Sequence, residues 1–118
     1  MKLTIYHLKN CDSCKKAIKA LNAVKDGAVY DMTLVDVRAD GITKTELENM
    51  IDQIGHEVLV NTRSTTWRTL SDEEKAGLNA AKALALLQKH PTLMKRPVID
   101  DGTSYHVGWS KAVQDTFL

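Results

Sequence analysis

The chain is poor in the residues that mark special classes of protein. Of its 118 residues, two are cysteine, two proline and six glycine, and 5% are aromatic, with a single phenylalanine. Two cysteines cannot build the disulfide framework of a small secreted domain. Neither sign of charge dominates. Sixteen Lys and Arg against 15 Asp and Glu leave a net charge of +1, which argues against broad binding to nucleic acid or to an anionic membrane. The aromatic residues are too scattered for a base-stacking platform, so Trp67 and Trp109 read as packing anchors. No apolar run approaches the length that spans a bilayer, and no signal segment precedes the first strand pattern, so a cytoplasmic location is expected. The histidines His7, His56, His90 and His106 show no paired metal spacing. A zinc site needs about four ligands, so none is expected. A Gly-rich phosphate loop and a Ser/His/Asp signature are likewise missing. With no repeat, linker or low-complexity segment, residues 1–118 read as a single domain large enough to bury a core.

What is present is a pair of cysteines at a special place. Asn10-Cys11-Asp12-Ser13-Cys14-Lys15-Lys16 follows an apolar strand from Leu3 to His7 and opens a helical run from about Asp12 to Asp26. A Cys-x-x-Cys at a strand-to-helix junction leaves the first thiol at the helix N-terminus, where unpaired N–H groups and the helix dipole stabilise a thiolate. The helix carries Ile18, Leu21 and Val24 on one face, with Ala17 and Ala20 beside them. Asp26-Gly27 ends it, and Val29 to Val37 reads as a second strand.

Asp40-Gly41 then turns the chain. Thr43-Lys44-Thr45-Glu46 fits a capping box for a helix with Leu47, Met50, Ile51 and Ile54 on one face. Gly55 ends that helix, and His56 to Leu70 reads as a polar connection. Ser71-Asp72-Glu73-Glu74 is a second capping box, starting a short helix that Gly77 breaks before a longer one from Leu78 to His90. Pro91 stops it. Val98-Ile99 and Tyr105-His106-Val107 are strands joined by the turn signal Asp101-Gly102, and Ser110 caps a last helix with Ala112, Val113, Thr116 and Phe117 on one side. The order β-α-β, then helices, then β-β-α is that of an α/β, thioredoxin-like fold with a helical insertion at about residues 43–91.

Cys11 is the expected nucleophile: a helix N-terminus with Lys9, Lys15 and Lys16 nearby in sequence should lower its pKa. The plain alternative is a buried thiol that packs like a hydrophobe. Cys14, one turn further in, faces Cys11 and either resolves a mixed disulfide on it or is simply a helix residue. Arg63 lies in a polar loop and Arg96 precedes Pro97. Arginine forks suit carboxylates, including those of glutathione, and phosphate-like oxyanions, although most surface arginines bind nothing in particular. The sequence leaves the isomer of the Arg96–Pro97 bond open.

Tyr6 through Ala17 resembles the arsenate reductase (ArsC)/Spx family, as does Asp36-Val37-Arg38-Ala39-Asp40-Gly41. The stretches from Leu59 to Leu70 and from Lys95 to Val98, with Val107-Gly108-Trp109-Ser110, are most similar to its YffB-like branch. The resemblance covers nearly the whole chain. It implies a thioredoxin-like fold, a nucleophilic cysteine at Cys11 and an arginine before proline at Arg96. It also implies a ligand-contacting residue at Asn61 or Arg63, and a role in thiol reduction with glutathione. Asn10 and Pro97 are assigned with them to substrate or glutathione binding. Arsenate reductases of this type carry a further arginine near the segment that is Val107-Gly108-Trp109 here, and this chain has none.

The expected function is therefore a glutathione-dependent thiol-disulfide oxidoreductase. Cys11 would be its nucleophile, Cys14 and Arg96 would assist, and glutathione would be a co-substrate alongside a disulfide or oxidised small molecule. No tightly bound cofactor, nucleic acid or membrane is expected, and the chain should be a monomer. The rival enzyme reading is arsenate reductase. The rival from another class is an Spx-like redox-sensing transcription regulator that binds RNA polymerase.

Overall fold

Strand β1 (Lys2–His7) carries Leu3 and Ile5 fully buried, which makes it the natural centre of a sheet. In the computed structural model it pairs in parallel with β2 (Asp31–Asp36) and antiparallel with β3 (Val98–Asp100), and β4 (Tyr105–Val107) pairs antiparallel with β3. The sheet order is β2-β1-β3-β4. The structure describes residues 2–23 and 30–118; the expected helix end at Val24 to Gly27 and strand start at Val29 lie outside them.

The described residues fall into two compact units, Met1–Asp40 with Arg96–Leu118, and Gly41–Lys95. The first unit holds the sheet, α1 (Asp12–Asn22) and the C-terminal α7 (Lys111–Phe117). Its core is Leu3, Ile5, Leu21, Ile99 and Phe117, with Ile18, Tyr30, Met32, Trp109 and Val113 packed against it. Tyr30 donates from its hydroxyl to the Phe117 carbonyl at 2.6 Å, and the Phe117 ring meets Tyr30 and His106 edge to face. Ser110 caps α7 as expected, but Ala112 and Thr116 are exposed. The inward face at described positions is Val113 and Phe117, four apart, because a seven-residue helix presents little more than one such stripe.

The second unit is helical. Helix α2 (Lys44–Ile54) buries Leu47, Met50 and Ile51, and Gly55 ends it at φ +93. The Thr43 hydroxyl oxygen accepts the Glu46 N–H, so the N-cap half of the expected capping box forms, while the Glu46 carboxylate takes the Thr43 hydroxyl rather than the Thr43 backbone N–H. The expected polar connection is instead built of two short helices, α3 (His56–Leu59) and α4 (Thr65–Thr69). The correction has a local cause. Gly55 turns the chain straight into a new helical turn, and Ser64 caps α4 by accepting the Trp67 N–H at 3.1 Å.

Helix α5 (Asp72–Lys75) has both halves of its capping box. Helix α6 (Ala80–Lys89) begins two residues later than expected because Asn79 takes the cap position, accepting the Lys82 N–H at 2.9 Å. Lys82 also donates to the Glu73 and Ala76 carbonyls, closing the end of α5. Pro91–Leu93 adds a 3-10 turn after α6, and Val60 bridges Met94.

Candidate active site

The first unit places Cys11 where β1 hands the chain to α1. The Cys11 N–H donates to the Leu8 carbonyl at 3.2 Å, which curls residues 8–11 into a tight turn. Cys11 is the N-cap of α1 with extended backbone, φ −105 and ψ 114. Its sulfur accepts the Cys14 N–H at 3.4 Å, the position a capping Ser or Asp oxygen would take. One of the orphan amides at the helix start is therefore spent on this sulfur.

The two thiols live in different surroundings. Cys11 is half-buried, whereas Cys14 has no accessible surface. Burial pushes the Cys14 thiol up to about 12, with the interaction with the Cys11 sulfur adding to it; the Leu8 backbone and the Arg96 charge oppose the rise more weakly. Both cysteines are free thiols.

Arg96 and Pro97 come to the same unit on the approach to β3. Arg96 is half-buried, Pro97 is fully buried, and the peptide bond between them is cis, which answers the isomer question. The Pro97 carbonyl accepts the Gly108 N–H at 2.8 Å, which ties the start of β3 to the end of β4. Tyr6 on β1 pairs with Val98, so this end of the sheet leads from the cysteine loop to the proline. Asn10 is exposed in the same loop as Cys11.

Asn61 and Arg63 belong to the second unit. The Asn61 side-chain oxygen accepts the Arg63 N–H at 3.1 Å, and the Asn61 N–H donates to the Leu93 carbonyl at 2.9 Å. Asn61 therefore shapes the loop through its side chain, and Arg63 is exposed. They line a cleft of about 600 Å³ together with Glu57, Val58, Val60, Thr62 and Lys95.

A feature that reading the sequence for thiols and pre-proline arginines passed over is a smaller cleft in the first unit, about 200 Å³, lined by Leu8, Lys9, Asn10, Asp36, Arg38 and Ala39. The signal was in the chain, as the Asp36 to Gly41 stretch, but no chemistry had been attached to it. Among the described residues no group of three or more His, Cys, Asp or Glu side chains is arranged to hold a metal ion, and no helix is long and apolar enough to cross a membrane.

Comparison with known proteins finds relatives along nearly the whole chain. The family model described as the ArsC family matches residues 6–117. An uncharacterized protein of Haemophilus influenzae is 44% identical over 97 residues, covering 82% of each chain. The global transcriptional regulator Spx 2 of Lactococcus lactis is 28% identical over 98% of this chain and 86% of its own. Among solved structures, one named YFFB protein superposes with a TM-score of 0.86 at 32% identity over 98% of both chains. A solution structure of an arsenate reductase (ArsC) related protein from Brucella melitensis gives 0.75 at 32% identity, over 99% of this chain and 94% of that one.

Proposed function

The chain belongs to the ArsC family, and from that premise we propose that it is a thiol oxidoreductase in which Cys11 is the nucleophile and glutathione the co-substrate. The observation that carries this reading is the contrast between the two sulfurs. Cys11 sits half-open at a helix N-terminus with an amide aimed at it, and Cys14, its neighbour, is sealed and holds its proton.

In the proposed reaction the Cys11 thiolate attacks one sulfur of a substrate disulfide. The substrate S–S bond breaks, a Cys11 mixed disulfide forms, and the leaving thiolate takes a proton from water. Glutathione thiolate then attacks the mixed disulfide and restores the Cys11 thiolate, itself ending in the oxidised product. Cys14 competes poorly for that second step. Loss of the Cys11 charge removes part of what holds its proton, but burial, the largest cause, stays. In this reading Arg96 faces anionic groups of the incoming thiol, Pro97 shapes the wall beside it and Asn10 offers an amide. The family resemblance gives a ligand-contacting role to Asn61 or Arg63, and because the Asn61 side-chain oxygen accepts the Arg63 N–H, Arg63 is taken as the candidate. Arg63→Ala should then raise the KM for glutathione several-fold with kcat little changed; an unaltered KM would remove Arg63 from the site.

Peptide-mapped mass spectrometry after mild exposure to oxidised glutathione tests the reading. The expected product is a glutathione adduct on Cys11 alone, and Cys11→Ser should abolish thiol turnover. A Cys11→Ser protein with full activity would sink the mechanism. One observation favours a second reading: the Cys14 thiol and the Cys11 sulfur interact side chain to side chain, so the pair is placed to close on itself. A clean Cys11–Cys14 disulfide in the same experiment would favour an Spx-like sensor, to be followed by oxidation-dependent pull-down of RNA polymerase. Steady-state arsenate reduction would favour the arsenate reductase reading, which the missing arginine near Trp109 disfavours.

A further inference from the structure

The turn after β2 closes on itself through two aspartates. Asp36 Oδ1 accepts the N–H groups of Arg38 and Ala39, each at 2.9 Å, and Asp40 Oδ2 accepts the Asp36 N–H at 2.9 Å. The Asp40 N–H donates back to the Asp36 carbonyl at 2.8 Å. The backbone of Arg38 is thus pinned while its side chain is exposed. Among the described residues no carboxylate lies within ion-pair distance of the Arg38 guanidinium or the Lys9 ammonium.

Asp36 is the one charged side chain buried among the described residues, 7% exposed. The backbone amides on Oδ1 hold its carboxyl below the usual range, with help from the His7 and Lys9 charges. Its other oxygen, Oδ2, has no hydrogen-bond donor among the described residues and is not sealed from solvent. A carboxylate with one oxygen held by two amides and the other without a donor therefore lines the same small cleft as two cations that have no ion-pair partner among the described residues. Leu8, Lys9 and Asn10 of that cleft belong to the turn that ends at Cys11, whose backbone N–H donates to the Leu8 carbonyl.

This combination selects among ligands. A simple oxyanion would gain from Lys9 and Arg38 but would meet the Asp36 charge. A group that carries both an ammonium and a carboxylate satisfies all three. At about 200 Å³ the cleft is smaller than the roughly 300–1,000 Å³ of sites that enclose a whole drug-sized ligand, so it seats one end of a longer molecule. Glutathione has such an end in the free α-amino and α-carboxylate of its γ-glutamyl residue. Its glycine end has a carboxylate only.

We propose that the cleft of Lys9, Asn10, Asp36 and Arg38 is the subsite for the γ-glutamyl end of glutathione, with the carboxylate on Arg38 and Lys9 and the ammonium on Asp36 Oδ2. The proposal rests on the glutathione reading of Cys11 and names the residues that give it selectivity.

The test uses S-methylglutathione, which binds without reacting, and follows amide shifts of the full-length protein. Shifts are expected at residues 8–10 and 36–40. Arg38→Ala should weaken binding about tenfold or more, the usual scale for one charge-assisted hydrogen bond, with partial rescue by Arg38→Lys. A ligand lacking the α-amino group should also bind more weakly to the unaltered protein, a comparison that needs no variant to fold. Asp36→Asn should erase that difference. Shifts confined to other residues, equal affinity of Arg38→Ala, indifference to the amino group, or inorganic phosphate binding the same amides as tightly would each overturn the proposal. The two readings fail separately. A Cys11 adduct with oxidised glutathione but no response in the cleft leaves the mechanism and removes the subsite. Binding in the cleft with no adduct on Cys11 does the reverse.

Discussion

At the scale of single residues, two cysteines one helical turn apart differ because one caps the helix and the other lies under it. At pH 8 a thiol held at about 12 is ionised in roughly one molecule in ten thousand, since each pH unit below the pKa is a factor of ten. Brief iodoacetamide treatment at that pH should therefore label Cys11 and leave Cys14 unmodified until the protein is unfolded. Equal labelling of both by mass spectrometry would show that Cys14 is not sealed. The position of Cys11 was legible from the chain, because a strand pattern meets a helix pattern at that residue. The state of Cys14 was not. Nothing in Asp12-Ser13-Cys14 distinguishes a buried helix face from an exposed one until Ala17 and Leu21 are seen to share it. The role suggested for Arg38 was equally hidden, since it depends on Asp36 Oδ2 staying open, which no spacing encodes.

At the scale of elements, the β3–β4 hairpin shows how a turn signal becomes an electrostatic device. Asp101-Gly102 was readable as a turn, and the turn runs over four residues, Asp101 to Ser104. Asp101 Oδ1 accepts the Thr103 and Ser104 N–H groups, and Oδ2 lies 2.9 Å from His106 Nε2. These donors lower its pKa from 3.8 to about 2, the Ser104 amide first. A depressed carboxyl stabilises the fold above its unfolded value, and that stability drains as pH falls from about 4 through about 2. Asp101→Ala should lower the melting temperature at pH 7 and flatten its fall over that acid window. A variant that keeps the full acid-induced fall would show that other carboxyls govern it. The elements missed in the sequence, α3 and α4, are each of five residues or fewer. Periodicity cannot register so short a run, and only the Ser64 cap and the Gly55 turn announce them.

At the scale of the whole molecule, the element order was legible almost throughout, because each helix of the second unit begins near a Ser, Thr, Asn or Gly and the strands are apolar runs. The sheet order β2-β1-β3-β4 arises from a parallel crossover plus a terminal hairpin. Such an order makes the first unit depend on the far end of the chain. A chain stopped at Lys95 retains β1 and β2 but lacks β3, β4, Ile99 and Phe117, two of the five core side chains of the first unit. It should show no slowly exchanging amides in β1. Protected amides at Ile5 in that fragment would show that the first two strands stand alone.

The same order has a consequence during synthesis. Cys11 and Cys14 leave the ribosome early, whereas Arg96, Pro97 and the strand that completes the sheet are made more than 80 residues later. At roughly 5–20 residues per second, translation leaves that interval several seconds long. Throughout it the second cysteine of the nascent chain has no finished core to hide in, and behaves as an ordinary thiol. A newborn copy is thus open to oxidation at the residue that the mature protein keeps out of reach.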